Sequence, residues 1–507
     1  MRSLLGAVAR EPIRVLFHTA GATCVLTAFW PSYQVRRGVT LCRMSAGRLP
    51  RSAPSAQDVD AAGILAFLDA VGSAALDLHS LMVLRHGHVV AEGWWAPYRA
   101  DQICLLYSLS KSFTSTAIGM AEAEGLLSID DPVVGFFPDK APQDASSSYV
   151  GAMKVRHLLA MASGHAEDTM TALARGGPDM VRTFLSIPPD KEPGSLFCYN
   201  QGCTYTLSAI ISKLTGKRLV DYLRPRLFDP LGIGQTFWWH TEEGIDQGFS
   251  GFHVDTESVA KLGQLYLQEG RWEGRQLVPE SYVRQARAKQ VDNSQQADNT
   301  DWQQGYGFQF WVCRHDAYRG DGAFGQFCVV VPDADAVIAC TAQVADMQAQ
   351  LDLIWEHLLP AVSGDGKPDG RAAKQLAERL ERLSTAVIDA PGGRPGPEVT
   401  FTRTTEPAPH TKALSAIRVK PTEDGTRLTV VADGVGYPFD LRRGQWTEGE
   451  LPGLRAPLPA VAVSGGWPSS DEFQADVVSL TSPHRLQLRA RTGEQPTFDA
   501  TWYLPPL

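Results

Sequence analysis

Two hydrophobic periods alternate along this chain, and each change of period marks a change of structure. Residues 60–71 place Ile64, Leu65, Phe67, Leu68 and Val71 at helical spacing. Residues 80–85 and 88–95 are strand-like and flank His86-Gly87, which predicts a β-hairpin. Helical patterns follow over 108–123, with Gly125 as a stop, and over 155–163, 180–186, 205–214, 220–228, 257–268 and 279–286. The character then changes to strand-like apolar runs. Residues 306–312, 327–331 and 336–340 read as an antiparallel meander, with 319–326 as a separator, and 351–359 closes the unit as a helix. An early hairpin, a helical middle and late strands predict an α+β fold. Its sheet is built from both ends of the unit and covered by helices.

A Gly-rich break at 363–370 is followed by a charged helix, 371–383, and a second linker rich in Pro and Gly, 389–397. From Val399 onward the pattern is short strands and turns: 414–419, 427–432, 437–441, 473–480, 485–491 and 498–503. This predicts a small all-β barrel or sandwich. The expected domains are an extension over 1–48, disordered or non-native, a main unit over 49–362, a linker with its helix over 363–397, and a β domain over 398–507.

Composition narrows the chemistry. At 507 residues with 44% hydrophobic and 20% charged positions, the chain is a globular protein with a large core. A net charge of −9 without any basic run gives no footprint for nucleic acid. The eight cysteines are scattered, without Cys-x-x-Cys spacing, as expected of buried thiols in a reducing compartment. Neither His nor Cys clusters at ligand spacing, so no metal and no cofactor are expected. Residues 15–30 are moderately apolar but interrupted by His18, a poor signal peptide and too short and polar for stable membrane insertion. The expected location is cytoplasmic.

The chemistry concentrates at Ser108 and Lys111, three apart and therefore on one face of a helix. An amine whose pKa burial has lowered can take the proton that keeps a serine hydroxyl from being a nucleophile. Ser-x-x-Lys alone is equally a small residue packed at a helix start. The second copy, Ser258 to Lys261, follows the N-cap candidates Asp255 and Thr256 in an amphipathic helix and reads as structural. Tyr199, in a turn bounded by Pro193-Gly194, is either a proton shuttle or a core tyrosine.

Three segments together resemble the serine β-lactamase and penicillin-binding-protein superfamily, in particular its class C β-lactamase-like esterases and amidases. They are Tyr107-Ser108-Leu109-Ser110-Lys111-Ser112-Phe113, the Pro-Gly-x-x-Phe-x-Tyr run from Pro193 to Tyr199, and Gly322-Ala323-Phe324-Gly325-Gln326. Residues 126–132 and 262–267 support the resemblance, which covers about 49–360. It implies an antiparallel sheet flanked by helices beside a helical subdomain. It also implies an acyl-enzyme on Ser108, with Lys111 as proton acceptor and Tyr199 as proton relay. The backbone N–H groups of Ser108 and Ala323 would form the oxyanion hole, the latter from an edge strand. The implied substrate is a small-molecule ester or amide. Acyl transfer or peptide cyclisation, and a sensor that acylates without turnover, use the same site.

Two departures bear on substrate binding, which the resemblance assigns to Asn200, Gln201, Gly320, Asp321 and Gly322. The family's Tyr-x-Asn reads Tyr199-Asn200-Gln201 here. Its Lys-Thr-Gly or His-x-Gly reads Gly320-Asp321-Gly322, so the usual cation is missing and an acid stands beside its place. Asp321 by itself reads as a turn residue, and Arg319 would point away from the face of Gly320.

Replacing Ser108 with Ala is expected to abolish ester and amide turnover while the protein stays folded. Ser258→Ala, the control, should leave the rate within about twofold of wild type, because the hydroxyl takes no part in the chemistry. Steady-state kinetics on both variants check the choice between the two motifs.

Overall fold

The computed structural model describes residues 47–143, 145, 148–295, 300–364, 369–390, 397–403, 405–408, 410–454 and 458–507. Ahead of these, the backbone of Arg14–Thr19 pairs antiparallel with that of Ala22–Thr27. The remainder of the expected extension up to residue 46, and the linker centres 365–368 and 391–396, lie outside the described residues.

A six-stranded antiparallel sheet forms the middle layer of the main unit. Its strands are β1 Leu78–Arg85, β2 His88–Trp94, β3 Trp311–Val312, β4 Tyr318–Gly322, β5 Gln326–Val331 and β6 Ala336–Ala342, in the order β3-β4-β5-β6-β1-β2. Both ends of the unit thus meet at β6 and β1. Alternate side chains enter two cores. Met82, Leu84, Cys328, Val330, Val337 and Ala339 face one, and Leu81, Val83, Phe327, Val329, Ile338 and Cys340 the other. With both faces covered, these strands read as unbroken apolar runs.

Helix α1, Ala61–Ser73, begins at Asp60, whose carboxylate accepts the Ala62 N–H at 2.9 Å, and covers the second core. On the other face lie α2, Ser110–Ala123, α3, Gln201–Thr215, and α4, Thr256–Leu267. Helix α2 is buried almost all round although it is rich in Ser and Thr. Each hydroxyl finds an acceptor: Ser112 donates to Gln309 O (2.9 Å), Thr114 to Gly248 O (2.9 Å), Ser115 to Phe308 O (2.7 Å) and Thr116 to Ser112 O (2.8 Å). Burial without that pairing would cost about 1–3 kcal/mol for each group.

Two segments differ from their sequence pattern. Residues 306–312 were expected as a strand, yet only Trp311 and Val312 pair in the sheet. Gln309 takes a left-handed φ of 62° and its amide donates to the carbonyls of Leu158 (3.2 Å) and Leu159 (2.7 Å). The run therefore crosses beneath α2 as core, spending its own carbonyls on the α2 hydroxyls. Conversely, the expected separator contains β4. Glycine lowers strand propensity, but here it lets the helix approach, as the site geometry shows.

The C-terminal unit is a nearly closed barrel of nine strands. They are β7 Val399–Arg403, β8 Leu414–Thr422, β9 Gly425–Ala432, β10 Val435–Leu441, β11 Thr447–Glu450, β12 Ala460–Gly466, β13 Glu472–Ser479, β14 Arg485–Arg491 and β15 Thr497–Trp502. The order is β10-β9-β8-β7-β15-β14-β13-β12-β11, with β7 and β15 parallel and the other pairs antiparallel. Phe401, Leu428, Val463, Phe473 and Leu488 fill the interior. Outside it, Ala462, Val478 and Leu480 enclose Tyr98 of the main unit. Arg485 pairs with Asp77 at 2.9 Å, and Arg99 with Glu448.

This contact combines ion pairs with apolar clusters, so cutting the chain before residue 398 would expose Tyr98, Leu105 and Phe324. The truncated main unit is expected to unfold at a lower temperature than the full chain and to scatter light at concentrations where the full chain stays clear. Differential scanning fluorimetry with light scattering checks this; an unchanged midpoint without aggregation contradicts it.

Candidate active site

Ser108 lies in a single 3-10 turn, Tyr107–Leu109, that leads into α2. Sequence periodicity ran the helix through this turn. Tyr107 breaks it with a φ of 48°, rare for a bulky residue. Lys111 follows in the first turn of α2, 1% exposed. Its Nζ stands 2.9 Å from Ser108 Oγ and 2.9 Å from the Phe249 carbonyl oxygen. A neutral amine there can donate one N–H to Phe249 O and turn its lone pair to the serine hydroxyl. Burial pulls the Lys111 pKa down to about 7, with Asp168 and Asp321 opposing the fall. Near neutral pH a substantial share of Lys111 is therefore a free base.

Tyr199 completes the cluster. Lys111 Nζ sits 4.6 Å over its ring, and the Ser108 side chain lies near enough to the phenol to lower its pKa. The ring stacks on Trp311 at 5.3 Å. Burial, then the charge of Asp321, pushes the phenol pKa well above its ordinary value, and Ser108 opposes this. Tyr199 is thus a protonated phenol, suited to giving a proton and poorly suited to being the resting base. Of the two groups, Lys111 is the one that can be deprotonated near neutral pH.

The Gly320 strand closes the opposite wall. A Cβ on Gly320 would stand 2.4 Å from Leu109 Cδ1 and 2.5 Å from Ser112 Oγ, and one on Gly322 would stand 1.9 Å from the Leu106 carbonyl oxygen. Both glycines let β4 lie directly on the segment that carries Ser108. Leu109 and Ser112 leave no room for a side chain on Gly320. Ala323 falls one residue beyond β4, in the hairpin turn where Gly325 N–H donates to Gly322 O at 3.2 Å, rather than on an edge strand as expected.

Asp321 is no turn residue. It lies in β4, buried, paired with Arg319 at 2.9 Å. Arg319 shares its face and points away from Gly320, as the strand period predicts. The guanidinium is fully buried, with Nη1 donating to Asp301 O (2.9 Å) and to Cys313 Sγ (3.0 Å), and it lies 4.2 Å over the Trp302 ring. Burial raises the Asp321 pKa and Arg319 draws it back.

Asn200 caps α3. Its Oδ1 accepts the Gly202 N–H (2.9 Å) and the Thr169 hydroxyl (2.7 Å), and the residue is fully buried. This amide, expected to bind substrate, is committed to the helix start. Gln201 follows in the first turn, its N–H donating to Asp168 at 2.9 Å. Nothing in the sequence singled out Asp168. Burial raises its pKa, while the N–H groups of Gln201 and Met170 and the charge of Lys111 stabilise the carboxylate. The copy at Ser258 is structural: its N–H is capped by Asp255 at 2.7 Å, and Lys261 Nζ reaches Gly232 O at 3.3 Å. Among the described residues no group of His, Cys, Asp or Glu could hold a metal ion, no helix is long and apolar enough to cross a membrane, and the six cysteines are free thiols.

The arrangement can be set beside known proteins. Residues 69–359 match the family described as Beta-lactamase, more than half of the chain. An uncharacterised protein of Alkalihalophilus pseudofirmus is 21% identical over 42% of this chain and 66% of its own length. Lovastatin esterase of Penicillium rubens is 27% identical over 27% of this chain and 40% of its own. The 6-aminohexanoate-dimer hydrolase of Paenarthrobacter ureafaciens is 24% identical over 51% and 71%. The chain thus spans less than two thirds of the length of the first two relatives. The crystal structure of SurE superposes with a TM-score of 0.50 at 17% identity, covering 82% of this chain and 96% of that one. That likeness concerns the fold alone, and it extends beyond the main unit into the barrel.

With Lys111 as base, kcat/KM for a neutral ester is expected to rise with pH up to about 7 and to level above it, because below that pH the ammonium has no lone pair. A pH–rate profile flat from about pH 5 to 9 would contradict the assignment.

Proposed function

The chain belongs to the Beta-lactamase family, and from that premise we propose that it is a serine hydrolase that cleaves an ester or amide through an acyl-enzyme on Ser108. The observation that carries the reading is the 2.9 Å approach of a buried, readily deprotonated Lys111 amine to the Ser108 hydroxyl. Lys111 Nζ takes the hydroxyl proton as Oγ attacks the substrate carbonyl. The N–H groups of Ser108 and Ala323 receive the oxyanion. Tyr199 gives its proton to the departing alkoxide or amide, and the Lys111 ammonium restores it. Water then enters by the reverse sequence and releases the acid. Two relatives named as an esterase and a dimer hydrolase support this reaction class. No observation favours acyl transfer or a stalled acyl-enzyme over hydrolysis.

Electrostatics narrows the substrate. Arg319 is buried and neutralised by Asp321, and Leu109 and Ser112 leave no room for a side chain at Gly320, where the resemblance would put a cation. Asp168 and Asp321 both lie within electrostatic reach of Lys111. A substrate carboxylate beside the scissile bond gains no charge-assisted bond from this wall, a loss of roughly 1.5–3 kcal/mol, or about one to two decades in rate. Neutral esters or amides are the expected substrates.

The test compares kcat/KM for a neutral chromogenic ester with that for an anionic cephalosporin reporter. The expected ratio favours the ester by at least about tenfold. Efficient cephalosporin turnover would sink the proposal.

A further inference from the structure

The turn that carries Ser108 is bonded to the barrel. Leu105 N–H donates to the Thr481 carbonyl at 3.0 Å, and the Tyr107 hydroxyl meets His484 Nε2 at 2.5 Å. Thr481 and His484 both belong to the loop between β13 and β14. His484 Nδ1 lies 3.2 Å from the Leu504 carbonyl oxygen. A carbonyl can only accept, so Nδ1 carries the proton, and in the neutral imidazole Nε2 accepts from the Tyr107 O–H. The chain end joins the same cluster: Leu504 and Leu507 pack with Trp239 and Ala323 around Leu105, Tyr107 and Phe324.

Tyr107 is where this grip matters. A tyrosine at a φ of 48° is strained and persists only where its surroundings impose it. The peptide that follows carries the Ser108 N–H, so the conformation of Tyr107 aims both that N–H and the Ser108 side chain. The main unit supplies part of the restraint. Ser110 Oγ donates to the Tyr107 carbonyl at 2.6 Å, and Phe324 meets the ring edge at 5.3 Å. The hydrogen bond to the phenol comes from the barrel, and its donor and acceptor are buried.

We propose that His484, from the β barrel, is a positioning residue for acylation: through the Tyr107 hydroxyl it fixes the strained turn that presents Ser108 and its oxyanion-binding N–H. The barrel is then part of the catalytic apparatus rather than an appended module. The inference rests on the reading of Ser108 as nucleophile.

The test uses the full chain and its Tyr107→Phe, His484→Ala and His484→Gln variants. A fluorophosphonate probe reports the rate of covalent labelling at Ser108 by peptide mapping, and a neutral chromogenic ester reports kcat and KM. Tyr107→Phe removes one oxygen and no packing. It and His484→Ala are each expected to slow labelling and kcat about tenfold, with KM within about twofold and the unfolding midpoint of Tyr107→Phe unchanged. The Tyr107→Phe/His484→Ala double variant should be no slower than the worse single one, because both act through one bond. His484→Gln, whose amide can accept from Tyr107 and donate to Leu504 O, should recover part of the rate. Labelling of Tyr107→Phe at the wild-type rate, or a loss carried by KM alone, overturns the inference by itself. Absence of label on Ser108 in the wild-type chain overturns the nucleophile assignment and this inference with it.

Discussion

A lysine amine held out of water beside a serine hydroxyl is the constraint around which this fold is arranged. Removing Lys111 from solvent lowers its pKa to about 7, a shift that represents several kcal/mol of lost solvation for the ammonium. The protein must then satisfy everything else at that depth. Helix α2 does so by giving each buried hydroxyl a carbonyl from residues 248–309 or from its own preceding turn. Asp168 and Asp321 temper the desolvation and keep the amine close to neutrality rather than permanently uncharged. Tyr199, pushed the other way by the same burial and by the same acids, stays a phenol. One environment thus separates the two proton carriers by sending their pKa values in opposite directions.

The Gly320 strand shows how backbone replaces side chain at such a site. Without Cβ atoms at Gly320 and Gly322, β4 lies flush against Leu106, Leu109 and Ser112. The charges that might have faced a substrate have instead paired with each other behind the sheet, where Arg319 is enclosed by Asp321, Cys313 and Trp302.

Much of this was legible in the sequence because it depends on local spacing. The three-residue spacing brought Ser108 and Lys111 together although Ser108 precedes α2, the Pro193 to Tyr199 run ends at a helix start, and apolar strand-like runs marked β1, β2, β5 and β6. The face of Arg319 also followed from the strand period. Residues 306–312 misled because apolar alternation cannot distinguish a sheet strand from a segment threaded beneath a helix, and the left-handed Gln309 decides between them only in three dimensions. Strand β4 was hidden because its glycines carry a close approach rather than a propensity. Asn200 looked like a substrate amide but serves as a cap, a role its own sequence position at the head of α3 could have suggested. Asp168 and His484 had no local signal at all: one reaches Lys111 across 57 residues of chain, and the other reaches Tyr107 across 377.

The central claim is that turnover passes through a covalent ester on Ser108. The most direct measurement is acid quenching of the protein within milliseconds of mixing with a neutral ester, followed by intact mass and peptide mapping. The account predicts a mass increase equal to the acyl group, located on the peptide containing Ser108, formed no more slowly than kcat and absent from Ser108→Ala. Turnover at the wild-type rate without any such adduct, or an adduct mapped to another residue, would contradict it.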